Sequence, residues 1–427
     1  MEILSKSDRL KPPLFAVYFK ITRYFSENKF LILAAVILIT VRFQISFFNY
    51  LDFKYHKVQN INANVVNQYK KQGKRGDYYV LKLRNRTLSF YTTSKEDLKN
   101  LLNEKLSLSI ITSNIAFSGF MFTFYAPSFN IKLLPVSKAD EYIEKQHLRK
   151  ETADIFKALF LGESISHKTR QELSTLGVSH LVALSGLHLG FLSVFLYVFL
   201  TPFYKLFQTR FPYRNRFADL AAAVFVIEFL YLYITGFPPS LIRAYILEIV
   251  VFLYAYNLQN PFSLKVLITV FFLSLIIFGS KVFSLGYFLS ILGVFYIYLF
   301  FRYYRPTFIN SVILSFYMFL NMFVVSHVFF GNFNLYQLFS PVINILFTLF
   351  YPFEIFLHMI GFGGVFDSVL EKFLHFGDYF VTVKIPLWFG LFFILGSVFA
   401  FFSKRLFYGI NLVSLLIIFY AIGVYVV

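Results

Sequence analysis

Apolar runs about as long as a bilayer is thick recur along this chain of 427 residues, and they constrain its fold more than anything else in it. The first run, Lys29 to Phe48, reads KFLILAAVILITVRFQISFF. Further candidate spans fall near 176–207, 217–235, 240–257, 264–281, 283–302, 307–330, 335–360, 384–402 and 404–427. They predict a polytopic α-helical membrane protein with about ten transmembrane or re-entrant helices, since a helix satisfies its own backbone polar groups in hydrocarbon. Apolar residues make up 58% of the chain, too many for a soluble fold of this size. The 61 phenylalanines fit lipid-facing positions better than a recognition box.

From Tyr50 to about Lys150 the apolar runs give way to alternating, polar sequence. YYVLKLRN (Tyr78 to Asn85), RTLSFYTT (Arg86 to Thr93), KLSLSIITS (Lys105 to Ser113) and FMFTFYAPSFNIKLLP (Phe120 to Pro135) read as strands, with a short helix over Ser94 to Asn103. Four or five short strands and one helix suit a small OB-like β-barrel. The chain then divides into a basic cytoplasmic tail (1–28), a first transmembrane helix (29–49), an extracytoplasmic OB-like domain (50–140), an amphipathic helical linker (141–175) and a multi-helix membrane domain (176–427).

Charge supports this organisation. The net charge is +18, and Leu51 through Lys150 alone carries 17 basic and 8 acidic side chains. Lys70, Lys71, Lys74, Arg75, Lys82, Arg84 and Arg86 are the candidate contacts there for a polyanion such as a single nucleic-acid strand. With the N-terminus inside, Lys205 to Arg216 and Arg302 to Pro306 also fall inside, as the positive-inside rule requires. Ser403-Lys404-Arg405 then falls outside. One extra or missing crossing between Leu335 and Phe380, where Pro341, Pro352 and Gly361 to Gly364 interrupt the helices, repairs the pattern.

Two segments place polar or helix-breaking residues where hydrocarbon should be. HLVALSGLHLG (His180 to Gly190) carries Ser185, Gly186, His188 and Gly190; on a helix Ser185 and His188 share a face, and Gly186 and Gly190 would let a neighbouring helix approach. TGFPPSLIRAYILE (Thr235 to Glu248) carries Gly236, Pro238 and Pro239, then Ser240 as a candidate N-cap and Arg243 in the first turn of a span. Arg243 suits a snorkelling side chain, or an inward cation that meets a phosphate or pairs with Glu228 or Glu248. Glu354 and His358, at i,i+4, form another intramembrane pair, whose spacing permits shared metal ligation, though two ligands fit a hydrogen-bonded structural pair better. No cysteine, P-loop, GxGxxG or metal-ligand histidine cluster is present, which argues against ATP hydrolysis, metal-dependent nuclease chemistry and any cofactor.

FLGESISHKTRQELSTLGVSHLVALSGLHLG (Phe160 to Gly190) resembles the opening of the ComEC competence domain, and TGFPPSLIRA (Thr235 to Ala244) is similar to that family's TG-x-x-PS-x-x-RA turn and helix. SLGYFLSILGVFYIY (Ser284 to Tyr298), with Gly286, resembles its G-[FY]-x-LS helix, and SPVINILFTLFYP (Ser340 to Pro352) is similar less closely. The resemblance runs in order from about 150 to 360. It implies an inner-membrane channel that passes single-stranded DNA into the cytoplasm during natural transformation, with a path lined by Ser185, Gly186, His188, Ser240 and Arg243. Long members carry a C-terminal metallo-β-lactamase-like domain whose histidine cluster is absent here, so the expectation is a protein with neither nuclease nor ATPase activity. Implied partners are membrane lipid, single-stranded DNA, an extracytoplasmic DNA receptor and a cytoplasmic ATPase or single-strand-binding proteins; a homo-oligomer is compatible with it.

Three rivals stand beside this expectation. Broken helices and intramembrane ionisable residues also suit a secondary transporter of a small solute or ion, although no internal repeat is visible. Ser185 with His188 raises an intramembrane serine hydrolase, which would also need an oxyanion hole and an oriented base. A membrane anchor whose barrel does the binding would not need ten spans.

Overall fold

The computed structural model describes residues 29–73, 76–85, 88–94, 101–135 and 137–426; the tail 1–28, most of the expected helix over 94–103, and Lys74, Arg75 and Arg86 lie outside them. Helix α1 (Lys29–Tyr55) runs past the expected boundary at residue 49 and delivers the chain straight into β1 (Val58–Gly73). Then come β2 (Gly76–Arg84), β3 (Ser89–Ser94), β4 (Lys105–Ile111), the short helix α2 (Phe117–Met121), β5 (Phe124–Tyr125) and β6 (Ser128–Leu133).

These six strands form one sheet in the order β5-β3-β2-β1-β4-β6. A bulge between Val65 and Asn67 bends β1, so that its first half pairs with β4 and its second half with β2. Ile61, Ala63, Val65, Leu81, Leu83, Phe90, Leu106, Leu108 and Ile110 alternate along their strands and bury on one face. The edge strands β5 and β6 are only two residues apart in the chain, which curls the sheet and draws its edges together. No ladder joins them, so the sheet is curled and open where a closed barrel was expected. Strand β1 was missed because its outward positions are Asn, Gln and Lys, although Ile61, Ala63 and Val65 keep a period of two.

The linker is folded. Helices α3 (Lys138–Glu144), α4 (Lys150–Leu161), α5 (His167–Thr175) and α6 (Ser179–Val182) pack through Ile155, Phe156, Leu159 and Leu173. Lys157, buried on α4, reaches Glu144 at 2.8 Å, and Ser164 N–H donates to Asn103 Oδ1 of the sheet domain at 3.0 Å.

The membrane part continues with α7 (Gly186–Arg210), α8 (Arg216–Ile234), α9 (Pro239–Tyr256), α10 (Leu264–Phe278), α11 (Leu285–Tyr303) and α12 (Phe308–Phe329). Strand β7 (Asn332–Phe333), helix α13 (Ser340–Met359), helix α14 (Asp367–His375), strand β8 (Val381–Thr382) and helices α15 (Leu387–Ala400) and α16 (Lys404–Val426) complete it. Eight helices among the described residues are long and apolar enough to cross a membrane. Helices α10 and α15, at 15 and 14 residues, are shorter than the expected spans, α10 being continued by a 3₁₀ turn over Gly279–Phe283. The span expected over 176–207 is broken: α6 stops at Val182, and Ala183 to Ser185 lie outside any helix.

The interrupted region between Leu335 and Phe380 begins and ends at one place. Asn332 pairs with Thr382 and Phe333 with Val381, so the chain leaves through α13 and returns through α14 to where it started. Both ends of α13 also touch the linker: Ser340 Oγ donates to Gly177 O, and Tyr142 Oη donates to His358 O at 2.9 Å.

Two stability tests follow from this packing. A Cβ at Gly377, just after α14, would lie 2.7 Å from the Glu172 carbonyl oxygen and 2.9 Å from its Cα, both backbone atoms of α5. Gly377→Ala is expected to cost about 1–3 kcal/mol, measured as thermal unfolding of the full chain in detergent. Burial first, and then Asp140, pushes the Glu163 carboxyl up to about 8. The folded state therefore retains a proton that the unfolded state releases near the ordinary carboxyl value of 4.5, and stability falls as pH rises between 4.5 and about 8. Glu163→Gln should flatten the melting temperature across that window; an unchanged slope would show that Glu163 ionises freely.

Candidate functional site

Two helix breaks face each other near the start of α7. In the first, Ser185 sits in extended conformation and caps α7, its Oγ accepting from Leu187 N–H at 3.3 Å. His188 reaches back so that its Nδ1 lies 3.0 Å from Ser185 N and 2.9 Å from Ser185 Oγ, a capping box with an imidazole in the place of Glu or Gln. A backbone N–H can only donate, so Nδ1 is bare and Nε2 carries the proton of the neutral ring. That Nε2 is buried without a hydrogen-bond partner, and the ring meets Tyr351 of α13 edge to face at 4.4 Å. Among the described residues no acid orients His188 from behind, so the Ser185–His188 contact works as a helix cap without the third member of a hydrolase relay.

In the second break, Gly236 and Phe237 both take left-handed φ values, 76° and 58°. Pro238 is the N-cap residue of α9 and Pro239 its first helical residue. Ser240 is therefore not the expected cap. Its Oγ donates to Leu184 O at 2.5 Å, satisfying a carbonyl left free by the first break. Each interruption thus supplies what the other lacks.

Arg243 follows one turn later. It is buried at 5% exposure, makes no ion pair or hydrogen bond among the described residues, and its Nε is unpartnered. Its nearest titratable groups are the phenols of Tyr287 and Tyr298 on α11, whose hydroxyls are themselves buried without partners, as is Ser274 Oγ on α10. A snorkelling arginine would show more surface. Gly186 makes room for it: a Cβ there would meet Arg243 Nη2 at 3.2 Å and Ala244 Cβ at 3.3 Å. The expected Gly186–Gly190 pair does not form a packing stripe, because nothing lies within 4 Å of a Cβ built at Gly190. Gly286 on α11 is equally open.

Neither glutamate pairs with Arg243. Glu228 is fully buried on α8 and accepts from Ser193 Oγ of α7, while Glu248 of α9 lies within hydrogen-bonding reach of Glu228. The mismatch has a geometric cause: Glu248 is five residues beyond Arg243, more than a helical turn, so the two leave α9 in different directions. Glu354 and His358 do meet, with Oε2 3.2 Å from Nδ1, and the structure adds His147 and Asp367 to them.

On the sheet domain, Lys70 pairs with Asp77 at 2.9 Å, Lys82 lies over the Tyr91 ring at 5.3 Å, and Lys71 is exposed. Arg84 is exposed and faces Arg170 of α5, which the sequence reading did not single out. Two like charges brought together from different elements mark a place where an anion would be welcome. Among the described residues no three His, Asp or Glu side chains converge as a metal-binding set.

No curated protein and no solved structure matches the chain. A family model does: residues 159–427 match the one described as Competence protein, which takes in both helix breaks and continues past the resembling motifs through α16. More than half of the chain is covered, and the protein therefore belongs to the competence protein family.

Proposed function

We propose that this protein is the inner-membrane channel through which a single DNA strand reaches the cytoplasm, and that Arg243 is a phosphate contact on the strand's path. Membership of a competence family supports a part in DNA uptake. The observation that carries the assignment within the molecule is the burial of Arg243 without a counter-ion. An unpaired charge in such a place costs several kcal/mol, and a passing polyanion repays that cost only while it is there. A fixed carboxylate partner would compete with phosphate, and neither Glu228, which accepts from Ser193, nor Glu248 pairs with Arg243 among the described residues. The unpartnered hydroxyls of Tyr287, Tyr298 and Ser274 add polarity without base selectivity, as backbone recognition requires.

The proposed orientation places the N-terminus in the cytoplasm and the sheet domain outside. Because the segment from Asn334 to Phe380 makes no net crossing, Arg210, Arg214, Arg302, Arg305, Lys404 and Arg405 all fall on the inner side. The contacts of the linker with α13 and α14 support putting that excursion on the same side as the sheet domain. On this reading Arg84 and Arg170 receive the strand before it meets the membrane part. Energy and the DNA receptor come from other proteins.

Arg243→Ala, at normal protein level, is expected to lower transformation about 10- to 100-fold, the loss of one charge-assisted contact, and Arg243→Lys should restore part of it. Fluorescent DNA should then accumulate outside the inner membrane. Normal transformation in a stable Arg243→Ala strain would end the assignment of Arg243, and arrival of DNA in the cytoplasm of a deletion strain would end the channel reading itself.

A further inference from the structure

The linker corner Tyr142–Leu148 is clamped to the turn between α13 and α14 by a row of buried groups. His147 Nδ1 lies 2.8 Å from Asp367 Oδ1, His147 Nε2 lies 3.1 Å from His358 Nε2, and His358 Nδ1 lies 2.8 Å from the Glu354 carbonyl oxygen. The side chains of His147, His358 and Asp367 are at most 8% exposed, and Phe156 and Phe160 pack their rings against the imidazoles. Asp367 Oδ2 accepts from Leu148 N–H, Gln146 bridges His358 O and Gly363 N–H, and Tyr142 donates to His358 O.

Counting hydrogens is decisive. The row contains three short contacts between nitrogen or oxygen atoms, and each needs one hydrogen. The carbonyl at one end supplies none, a carboxylate at the other supplies none, and two neutral imidazoles supply one each. With both Nδ1 protons spent on Asp367 and Glu354 O, the two Nε2 lone pairs would face each other bare at 3.1 Å. We propose that His147 and His358 bind one additional proton between them, making this row a proton-binding latch that joins the linker to the α13–α14 excursion. The Glu354 carboxylate, 1% exposed with neither oxygen hydrogen-bonded, lies 3.2 Å from the His358 ring and offsets the added charge.

The proton belongs to the row, not to one ring. Burial pushes the His147 imidazole below its ordinary value, and Asp367 offsets only part of that, so the case for the added proton rests on the geometry of the row. The other charged groups nearby are spoken for: Glu144 holds Lys157, and Arg149 holds Glu371. Removing the proton breaks the central contact and leaves two lone pairs opposed, so stability falls as pH rises above the ordinary histidine range of about 6.5, and the latch opens once the folded row releases its proton. Tyr351, two turns back on α13, is the residue that meets His188, which ties the latch mechanically to the helix break. This inference stands whether or not the chain passes DNA.

The test uses the full chain in detergent carrying Glu163→Gln, which removes the other titration of the same sign. Its melting temperature should fall by about 2–5 °C between roughly pH 6.5 and 8.5, and His358→Phe, which keeps a ring in the aromatic box, should abolish that slope. Nitrogen-15 histidine spectra give a second readout: one doubly protonated imidazole should survive near pH 8 and vanish in His358→Phe. A flat melting curve with no such imidazole overturns the proposal. Stabilisation by zinc chloride with loss on chelation, again without the imidazolium signal, overturns it in favour of a bridging metal.

Discussion

A backbone carbonyl or N–H buried without a partner costs several kcal/mol, and this molecule breaks its helices twice, where α7 and α9 begin. The interruptions are tolerable because they are matched. Ser240 from one break closes the free Leu184 carbonyl of the other, and Ser185 with His188 caps the helix that resumes. Everything else at the site hangs on that pairing. It sets α9 against α7 so closely that a side chain at Gly186 would press on Arg243 and Ala244, and among the described residues no carboxylate pairs with Arg243.

A second constraint is topological. The two-residue ladder between β7 and β8 is small, yet it makes the whole excursion through α13 and α14 return to its starting point. On the proposed orientation, that return removes the conflict between Lys404 and Arg405 and the rest of the charge distribution. It also lays α13 along the folded linker, with Ser340 near Gly177 at one end and His358 beneath Tyr142 at the other. A membrane segment and an extramembrane segment are thereby fastened together at both ends, with the histidine row as the polar fastening.

Much of the fold was legible because its signals are local. Apolar length places helices α8 to α13, α15 and α16 within a few residues, since a bilayer demands a length and nothing more subtle, whereas the short α14 carries no such signal. Strand alternation finds β2, β3 and β4 for the same reason. Strand β1 escaped because its exposed face is amide-rich and its buried apolar members are only Ile61, Ala63 and Val65. The break at Ala183 to Ser185 was visible as odd residues, but a continuous span was the default until the cap geometry was seen.

What the sequence by itself determined is the class of molecule, its family motifs and the residues that hydrocarbon should not contain. Those follow from composition and period, which are properties of a stretch of chain. Tertiary structure alone decided the partnerships: Glu228 with Ser193 and Glu248 rather than Arg243, Ser240 as a donor rather than a cap, Arg84 facing Arg170, and His147 joining His358 across more than two hundred residues of chain. A side chain's partner depends on where distant helices cross, and crossing is set by packing summed over the whole bundle. No window of sequence contains that sum.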